Sequence, residues 1–252
     1  MSKKVIAFDL DDTLAVTKSP MSDQMGELLV ELLDKYEICI ISGGKFDQFK
    51  VQVIDRLEAP AHKLNRLHIM PTCGTRYYRY DELREEWKLQ YAEDLTKAEK
   101  ERIIDITERH AREMGIWPKN PYGEVIEDRE SQISISLLGQ QAPPEKKYEW
   151  AEKNSEKRLE LRQKIANDLS EFEVRAGGTT TIDITHIGID KAYGMQKLVD
   201  ALDISKEDIL FVGDKLEEGG NDYPVKAMGI DCVAVEKWED TTHVLAGVLG
   251  VS

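Results

Sequence analysis

Val5-Ile6-Ala7-Phe8 and Ile209-Leu210-Phe211-Val212 lie at opposite ends of the chain, and each is apolar at successive positions and runs into an aspartate. The first ends in Asp9 and the second in Gly213-Asp214. A strand that is apolar on both faces of its pleat must be covered on both faces, which is the condition inside a parallel sheet flanked by helices. Glu37-Ile38-Cys39-Ile40-Ile41 is a third such run and stops at Ser42-Gly43-Gly44; Leu67-His68-Ile69-Met70 is a fourth and stops at Pro71. Between them Met25, Leu28, Leu29, Leu32 and Leu33, and then Phe46, Phe49, Val53 and Leu57, recur at helical spacing. Strands and helices in alternation predict an α/β fold, whose ligands collect outside the carboxyl ends of the strands.

The pattern changes in the middle of the chain. Tyr77-Tyr78-Arg79-Tyr80 and Trp87-Lys88-Leu89 alternate like hairpin strands. Asp94 to Met114 reads as a long charged helix with a one-sided apolar stripe. Glu124 to Glu127 and Gln132 to Leu137 alternate at period two. Gly139 to Asn154, with Pro143-Pro144, reads as a polar connection to a helix carrying Leu159, Leu161, Ile165 and Leu169. Phe172 to Arg175 and Thr179 to Ile184 read as two further strands, which together describe an α+β layer. From Asp190 strand and helix alternate again. The expected organisation is a parallel core of residues 1–80 and 189–252, interrupted by an α+β insert at 81–188.

Hydrophobic residues make up 41% of the chain, enough for a sizeable core, and the net charge of −14 weighs against nonspecific nucleic-acid binding. A small anionic substrate needs only a local cluster of cations and stays compatible with that charge. Cys39, Cys73 and Cys232 are odd in number and include no CxxC pair, so neither a disulfide framework nor a zinc site is expected. Met1-Ser2-Lys3-Lys4 leads straight into a strand without a signal-peptide core, and no apolar run approaches the ~20 residues of a membrane span. The expectation is a cytoplasmic protein with neither nucleic acid nor membrane as partner.

Asp9-x-Asp11-x-Thr13 places two carboxylates and a hydroxyl at a strand end. A calcium loop would require Gly at its sixth position and Glu at its twelfth, where this chain has Leu14 and Pro20. Two readings remain, a plain polar turn after a strand and covalent catalysis by a carboxylate, with the second acid close enough to serve a leaving oxygen. Ser42-Gly43-Gly44 adds a hydroxyl and backbone N–H groups at a helix start, a setting that suits a phosphate oxygen. Gly213-Asp214 followed by Gly219-Gly220-Asn221-Asp222 brings a further pair of acids round a glycine-rich turn.

Taken in order, Phe8-Asp9-Leu10-Asp11-Asp12-Thr13-Leu14, Ile41-Ser42-Gly43, Asp190-Lys191 and Gly213-Asp214 with Asp222 resemble the four motifs of the haloacid dehalogenase superfamily. The longer strings Gly213-Asp214-Lys215, Gly219-Gly220-Asn221-Asp222, Glu127-Asp128-Arg129 and Gly177-Gly178-Thr179 resemble its type IIB branch, the eukaryotic-type phosphomannomutases and their bacterial hydrolase relatives. That resemblance implies a Rossmann-like core with an inserted α+β cap. It implies that Asp9 is the nucleophile, Asp11 the general acid and base, and Ser42 and Lys191 the groups that hold phosphate, with Mg²⁺ low in the site. Asp9 and Asp214 would supply carboxylates to that ion, Asp11 its carbonyl, and Asp222 a hold on coordinated water. Mg²⁺ and Lys191 would keep the Asp9 carboxyl ionised. Thr13, Gly43 and Lys18 would line the substrate phosphate in the core. Arg129, Gln140, Lys147, Thr181 and Asp183 would meet a small phosphorylated sugar from the cap, in a monomer or in a homodimer formed through that domain.

Several of these positions depart from the mutases. Gln140 and Lys147 stand where arginines are expected, Lys18 replaces a core arginine and Thr181 a serine. Arg grips phosphate as a planar fork and Lys only as a point charge. A mutase must hold either end of its sugar, whereas a phosphatase holds one phosphate. The sequence expectation is therefore a hexose-phosphate phosphatase, with the mutase reaction as the alternative and a non-enzymatic sugar-phosphate binder as the third reading.

Overall fold

The computed structural model describes residues 3–177 and 179–251, so Met1-Ser2 and the Gly178 of the Gly-Gly turn lie outside the described residues. In chain order the elements are β1 (Val5–Phe8), α1 (Asp23–Leu32), β2 (Glu37–Ile41), α2 (Phe46–Gln52), α3 (Ala61–Leu64), β3 (Leu67–Met70), β4 (Arg76–Asp81), β5 (Glu86–Ala92), α4 (Lys97–Glu113), β6 (Ile126–Asp128) and β7 (Gln132–Ser136). They continue with α5 (Pro144–Asp168), β8 (Phe172–Gly177), β9 (Thr181–His186), α6 (Lys191–Leu202), β10 (Ile209–Gly213), α7 (Tyr223–Ala227), β11 (Asp231–Ala234) and α8 (Trp238–Val251). The chain divides into two compact units, Met1–Ala92 with Asp190–Ser252, and Glu93–Ile189.

The first unit is built on a seven-stranded sheet in the order β11-β10-β1-β2-β3-β4-β5. Strands β11, β10, β1, β2 and β3 are parallel, and β4 and β5 extend the sheet antiparallel. Alternation along each parallel strand divides the core in two. Ile6 and Phe8 point with Ile38, Ile40 and Val212 into a cluster closed by Met25 and Leu29 of α1, Phe49 of α2 and Leu245 of α8. Val5 and Ala7 point the other way with Cys39, Ile41 and Phe211, against Met195 and Leu198 of α6 and Val225 of α7. Central strands buried on both faces account for the unbroken apolar runs in the sequence.

The expected boundary at residue 80 is placed differently. The β4–β5 hairpin runs to Ala92 and pairs through β4 with β3, so 81–92 continues the core sheet. Trp87, expected in the insert, packs near Phe46 in the first unit, with ring centroids 6.5 Å apart.

The second unit is a four-stranded antiparallel sheet in the order β6-β7-β9-β8. Ile133, Ile135, Ile182, Ile184 and Val174 form its apolar face with Ile103 and Ala111 of α4 and Leu161, Ile165 and Leu169 of α5. Thr96 and Glu99 form a reciprocal capping box that starts α4. The stretch read as a polar connection up to Asn154 is helical from Pro144, since Pro in the first turn of a helix removes no intrahelical hydrogen bond. Among the described residues no helix is long and apolar enough to cross a membrane.

Candidate active site

Strand register brings the motifs together. Phe8 pairs with Val212 of β10 on one side and Ile40 of β2 on the other, so Asp9, Gly213-Asp214 and Ser42 all follow the carboxyl ends of adjacent strands. The Asp9 N–H continues the ladder by donating to the Val212 carbonyl at 3.0 Å. The loop beyond is pinned from below. Leu10 and Leu14 are fully buried in the core cluster, and Asp12, at φ 63°, closes the turn by accepting from the Thr17 N–H and hydroxyl. Thr13 is buried in the same loop, and its hydroxyl has no hydrogen-bond partner among the described residues.

Lys191 is the first residue of α6. Asp190 caps that helix by accepting from the Tyr193 N–H at 2.9 Å. The Lys191 side chain is 1% exposed, and its ammonium donates to both Asp9 Oδ1 and Asp222 Oδ1. Asp222 is fully buried and also accepts at Oδ2 from the Lys215 N–H at 3.1 Å. A Cβ at position 213 would lie 2.5 Å from Asp222 Oδ2, so only glycine lets the end of β10 come this close to the acid. Lys215, whose role the sequence reading left open, turns its ammonium onto Asp214.

Burial pushes the Asp9 carboxyl up to about 7, with the charge of Asp222 adding to the rise and Lys191 opposing it. The sequence expectation of an ionised Asp9 rests on Mg²⁺ together with Lys191, and this rise is the carboxyl's state with Lys191 alone. One ammonium shared between two buried acids does not offset the loss of water around Asp9. Burial pulls Lys191 down, but Asp9 and Asp222 together hold it above the ordinary amine value.

One oxygen from each of Asp9, Asp214 and Asp222 lies within 4.8 Å of the others. Asp214 Oδ1 is buried without a hydrogen-bond partner among the described residues. A buried carboxylate oxygen left without a donor is costly unless a cation answers it, so the donor set fits a hard divalent cation.

Asp11 faces α2. Its Oδ1 accepts from the Lys18 N–H at 2.9 Å and from Gln52 Nε2 at 3.2 Å, and its Oδ2 from Gln48 Nε2 at 3.0 Å. Lys18 thus bonds Asp11 through its backbone, while its side chain is exposed. Ser42 is 5% exposed, and its Oγ accepts from the Gly44 N–H at 3.3 Å, with Gly43 between them in the turn.

The remaining predicted residues belong to the second unit. Thr181 and Asp183 alternate on β9 opposite Ser136 and Ser134 of β7, on the face away from the isoleucines. Asp183 Oδ1 and Ser134 Oγ are both buried without hydrogen-bond partners among the described residues. Gln140 Nε2 donates to the Ser134 carbonyl at 3.2 Å. Arg129 donates through Nε and Nη2 to Glu127 Oε2, at 2.9 and 2.7 Å. Lys147 is half-buried in the first turn of α5. The sequence reading missed Arg158 of α5, whose Nη1 donates to the carbonyls of Gly177 and Thr181 at 3.1 and 3.3 Å. It lies within a run of charges that reads as a solvated face.

Residues 25–250 match the family model described as eukaryotic phosphomannomutase. The chain is 26% identical over 233 residues to the phosphomannomutase of Encephalitozoon cuniculi, covering 88% of this chain and 84% of that one. A Caenorhabditis elegans protein named probable phosphomannomutase is 24% identical over 237 residues, covering 90% and 87%. In fold, a haloacid dehalogenase-like hydrolase from Bacteroides thetaiotaomicron superposes with a TM-score of 0.68 at 14% identity, over 98% of this chain and 100% of its own. The match spans both units and carries phosphoryl transfer on sugar phosphates with it, on a fold shared with that hydrolase: the chain belongs to the eukaryotic phosphomannomutase family.

Proposed function

We propose that this enzyme interconverts the 1- and 6-phosphates of a hexose, mannose in the first instance, through a phosphoryl group carried on Asp9. The observation that carries this reading is the family match over 25–250, which runs through the sugar-reading unit as well as the catalytic one. It reverses the preference for hydrolysis drawn from the sequence alone.

Asp9 attacks phosphorus in line, and a P–O bond to Asp9 forms as the bond to the sugar oxygen breaks. Asp11 gives its proton to that oxygen and becomes a carboxylate. Lys191 neutralises charge on Asp9 and on the incoming phosphate, and Asp222 keeps the ammonium aimed at Asp9 by accepting its second hydrogen bond. The Ser42 hydroxyl and the N–H groups of the following turn receive phosphoryl oxygens. A bound Mg²⁺, held by Asp9, Asp214 and the Asp11 carbonyl with Asp222 beyond, would supply charge neutralisation at the phosphoryl oxygens. Asp11 then accepts the proton of the other sugar hydroxyl as it takes up the phosphoryl group. Thr181 and Asp183 read sugar hydroxyls, and Arg129, Gln140 and Lys147 the distal phosphate.

Hydrolysis is the second reading, and one observation favours it. Of the residues expected to grip the distal phosphate, Arg129 already donates twice to Glu127, and Gln140 brings no charge. A weak hold on the far end lets water complete the second half. Mannose 1-phosphate supplied with and without a hexose bisphosphate separates the two. Mannose 6-phosphate forming faster than free phosphate, and stimulated by the bisphosphate, is the expected result. Phosphate release alone, unaffected by the bisphosphate, would replace it with hydrolysis.

A further inference from the structure

We propose that Gln48 and Gln52, four residues apart on α2, form a two-amide clamp that positions the carboxyl of Asp11 for proton transfer. The inference rests on Asp11 being the general acid and base, and extends that reading to two residues outside the motifs.

The orientation of the Gln52 amide is fixed by its backbone partner. Gln52 is 1% exposed, and its Nε2 lies 3.2 Å from Asp11 Oδ1 and 3.0 Å from the Ser19 carbonyl. A backbone carbonyl only accepts, so the NH₂ group, and not the amide oxygen, must face Ser19 and with it Asp11. Gln52 thereby ties Asp11 to the backbone at the far end of its own loop. Gln48 reaches the other carboxyl oxygen, with Nε2 3.0 Å from Asp11 Oδ2. Its amide oxygen lies against the turn before the helix: a Cβ at Gly44 would sit 2.3 Å from Gln48 Oε1.

The two oxygens of Asp11 are left unequal. Oδ1 accepts two N–H groups, from Lys18 and Gln52, and Oδ2 accepts one, from Gln48. Each carboxyl oxygen has two lone pairs, so the open lone pair belongs to Oδ2, which is the seat of the transferable proton. When that proton leaves for the sugar oxygen, with the P–O bond to Asp9 forming and the bond to the sugar breaking, all three donors face the resulting carboxylate. Charge-assisted hydrogen bonds of this kind are the stronger ones, so the clamp strengthens as the proton departs. Glutamines at positions i and i+4 share one helix face, which is why the pair converges on one carboxyl.

The test uses the leaving group. A sugar oxygen needs a proton as it departs, and p-nitrophenolate does not. The measured quantity is the first-turnover release of leaving group from mannose 1-phosphate and from p-nitrophenyl phosphate, for Gln48→Leu, Gln52→Leu and Asp11→Ala. A general acid contributes roughly 10²–10⁴-fold, and each glutamine variant is expected to lose about 10–100-fold of that with the sugar phosphate, with its KM unchanged. With p-nitrophenyl phosphate each should stay within about twofold of the parent. Gln48→Glu keeps the shape, removes the donor and should show the same split. Equal loss on both substrates in Gln48→Leu, or none on either, overturns the clamp. If Asp11→Ala shows the split and the glutamine variants do not, the clamp alone fails. If Asp11→Ala shows no split, the assignment of Asp11 fails and the clamp with it. Gln48 is half-buried, so its variants remain informative should the more deeply buried Gln52→Leu unfold.

Discussion

The polar groups of the two units are arranged on opposite plans. At the strand ends of the first unit, Asp9, Asp222 and Lys191 are nearly without solvent and bonded to one another. In the second unit the cations answer their own neighbours, Arg129 on Glu127 and Arg158 on two backbone carbonyls, while Asp183 Oδ1 and Ser134 Oγ on the polar face of its sheet are left without partners among the described residues. The first arrangement holds Asp9, Lys191 and Asp222 together and leaves Asp214 Oδ1 and the Thr13 hydroxyl open among the described residues. In the proposed reaction the second unit's side chains decide which acceptor completes the transfer. The largest expected effects therefore lie in the first unit and the selective ones in the second.

Asp9→Asn removes the nucleophile with little change of shape and should lower turnover of a hexose phosphate by more than about 10³-fold in steady-state assays. Retained activity would remove Asp9 from the mechanism. Lys191→Met does more, because it leaves Asp9 and Asp222 buried against each other without a cation. Breaking a buried ion pair from one side costs about 3–5 kcal/mol, so denaturant unfolding without divalent cations should reveal a loss of that order as well as inactivity.

The second unit should respond in ratio and not in rate. Gln140→Arg with Lys147→Arg restores two planar forks, and one added bidentate phosphate contact is worth about 1.4 kcal/mol, or roughly tenfold. The ratio of mannose 6-phosphate to free phosphate formed from mannose 1-phosphate should rise by about that factor, with first-turnover phosphorylation unchanged. A pair of substitutions that left the ratio where it was would separate these residues from the choice of acceptor. Ser134→Ala should raise KM by a few-fold at unchanged stability, since the hydroxyl it deletes bonds nothing among the described residues.

The same contrast governs what could be read from the sequence. Asp9, Ser42 and Asp214 were legible because a buried parallel strand announces itself by unbroken apolar residues, and chemistry follows at its carboxyl end. Gln48 and Gln52 were not, because a glutamine on a helix carries no sign of what its amide meets three dozen residues away in the chain. The hairpin at Tyr77 to Leu89 was recognised as hairpin, but alternation reports a strand and not its partner, so its membership in the seven-stranded sheet had to come from pairing with β3. The early start of α5 was hidden by Pro143-Pro144 and a run of charge, which suit a loop as well as a solvated first turn.

A third polar cluster, remote from both plans, provides the control. His68 is fully buried on β3, with Nδ1 2.7 Å from the Tyr77 hydroxyl and Nε2 3.0 Å from Glu37 Oε2, and Glu37 opens β2 at the end of the sheet opposite the catalytic strand ends. Every polar atom of the ring is used. Burial holds His68 below its ordinary value of 6.5, with the hydrogen bond to Glu37 opposing the shift. Below 6.5 the unfolded chain therefore binds a proton that the folded chain refuses. Stability is present in full above that value and is lost as the pH falls from it through the folded value, by at most about 1.4 kcal/mol per unit. Denaturant unfolding between about pH 7.5 and 5.5 should differ between the parent and His68→Phe by this slope, while Asp9, pushed up to about 7, contributes a slope of opposite sign equally to both. Activity at pH 7.5 should follow the folded fraction alone in that variant, whereas the Lys191 variant stays inactive even where folded; a His68→Phe protein that is folded yet inactive would mean that the two ends of the sheet are coupled and that the catalytic cluster is not self-contained.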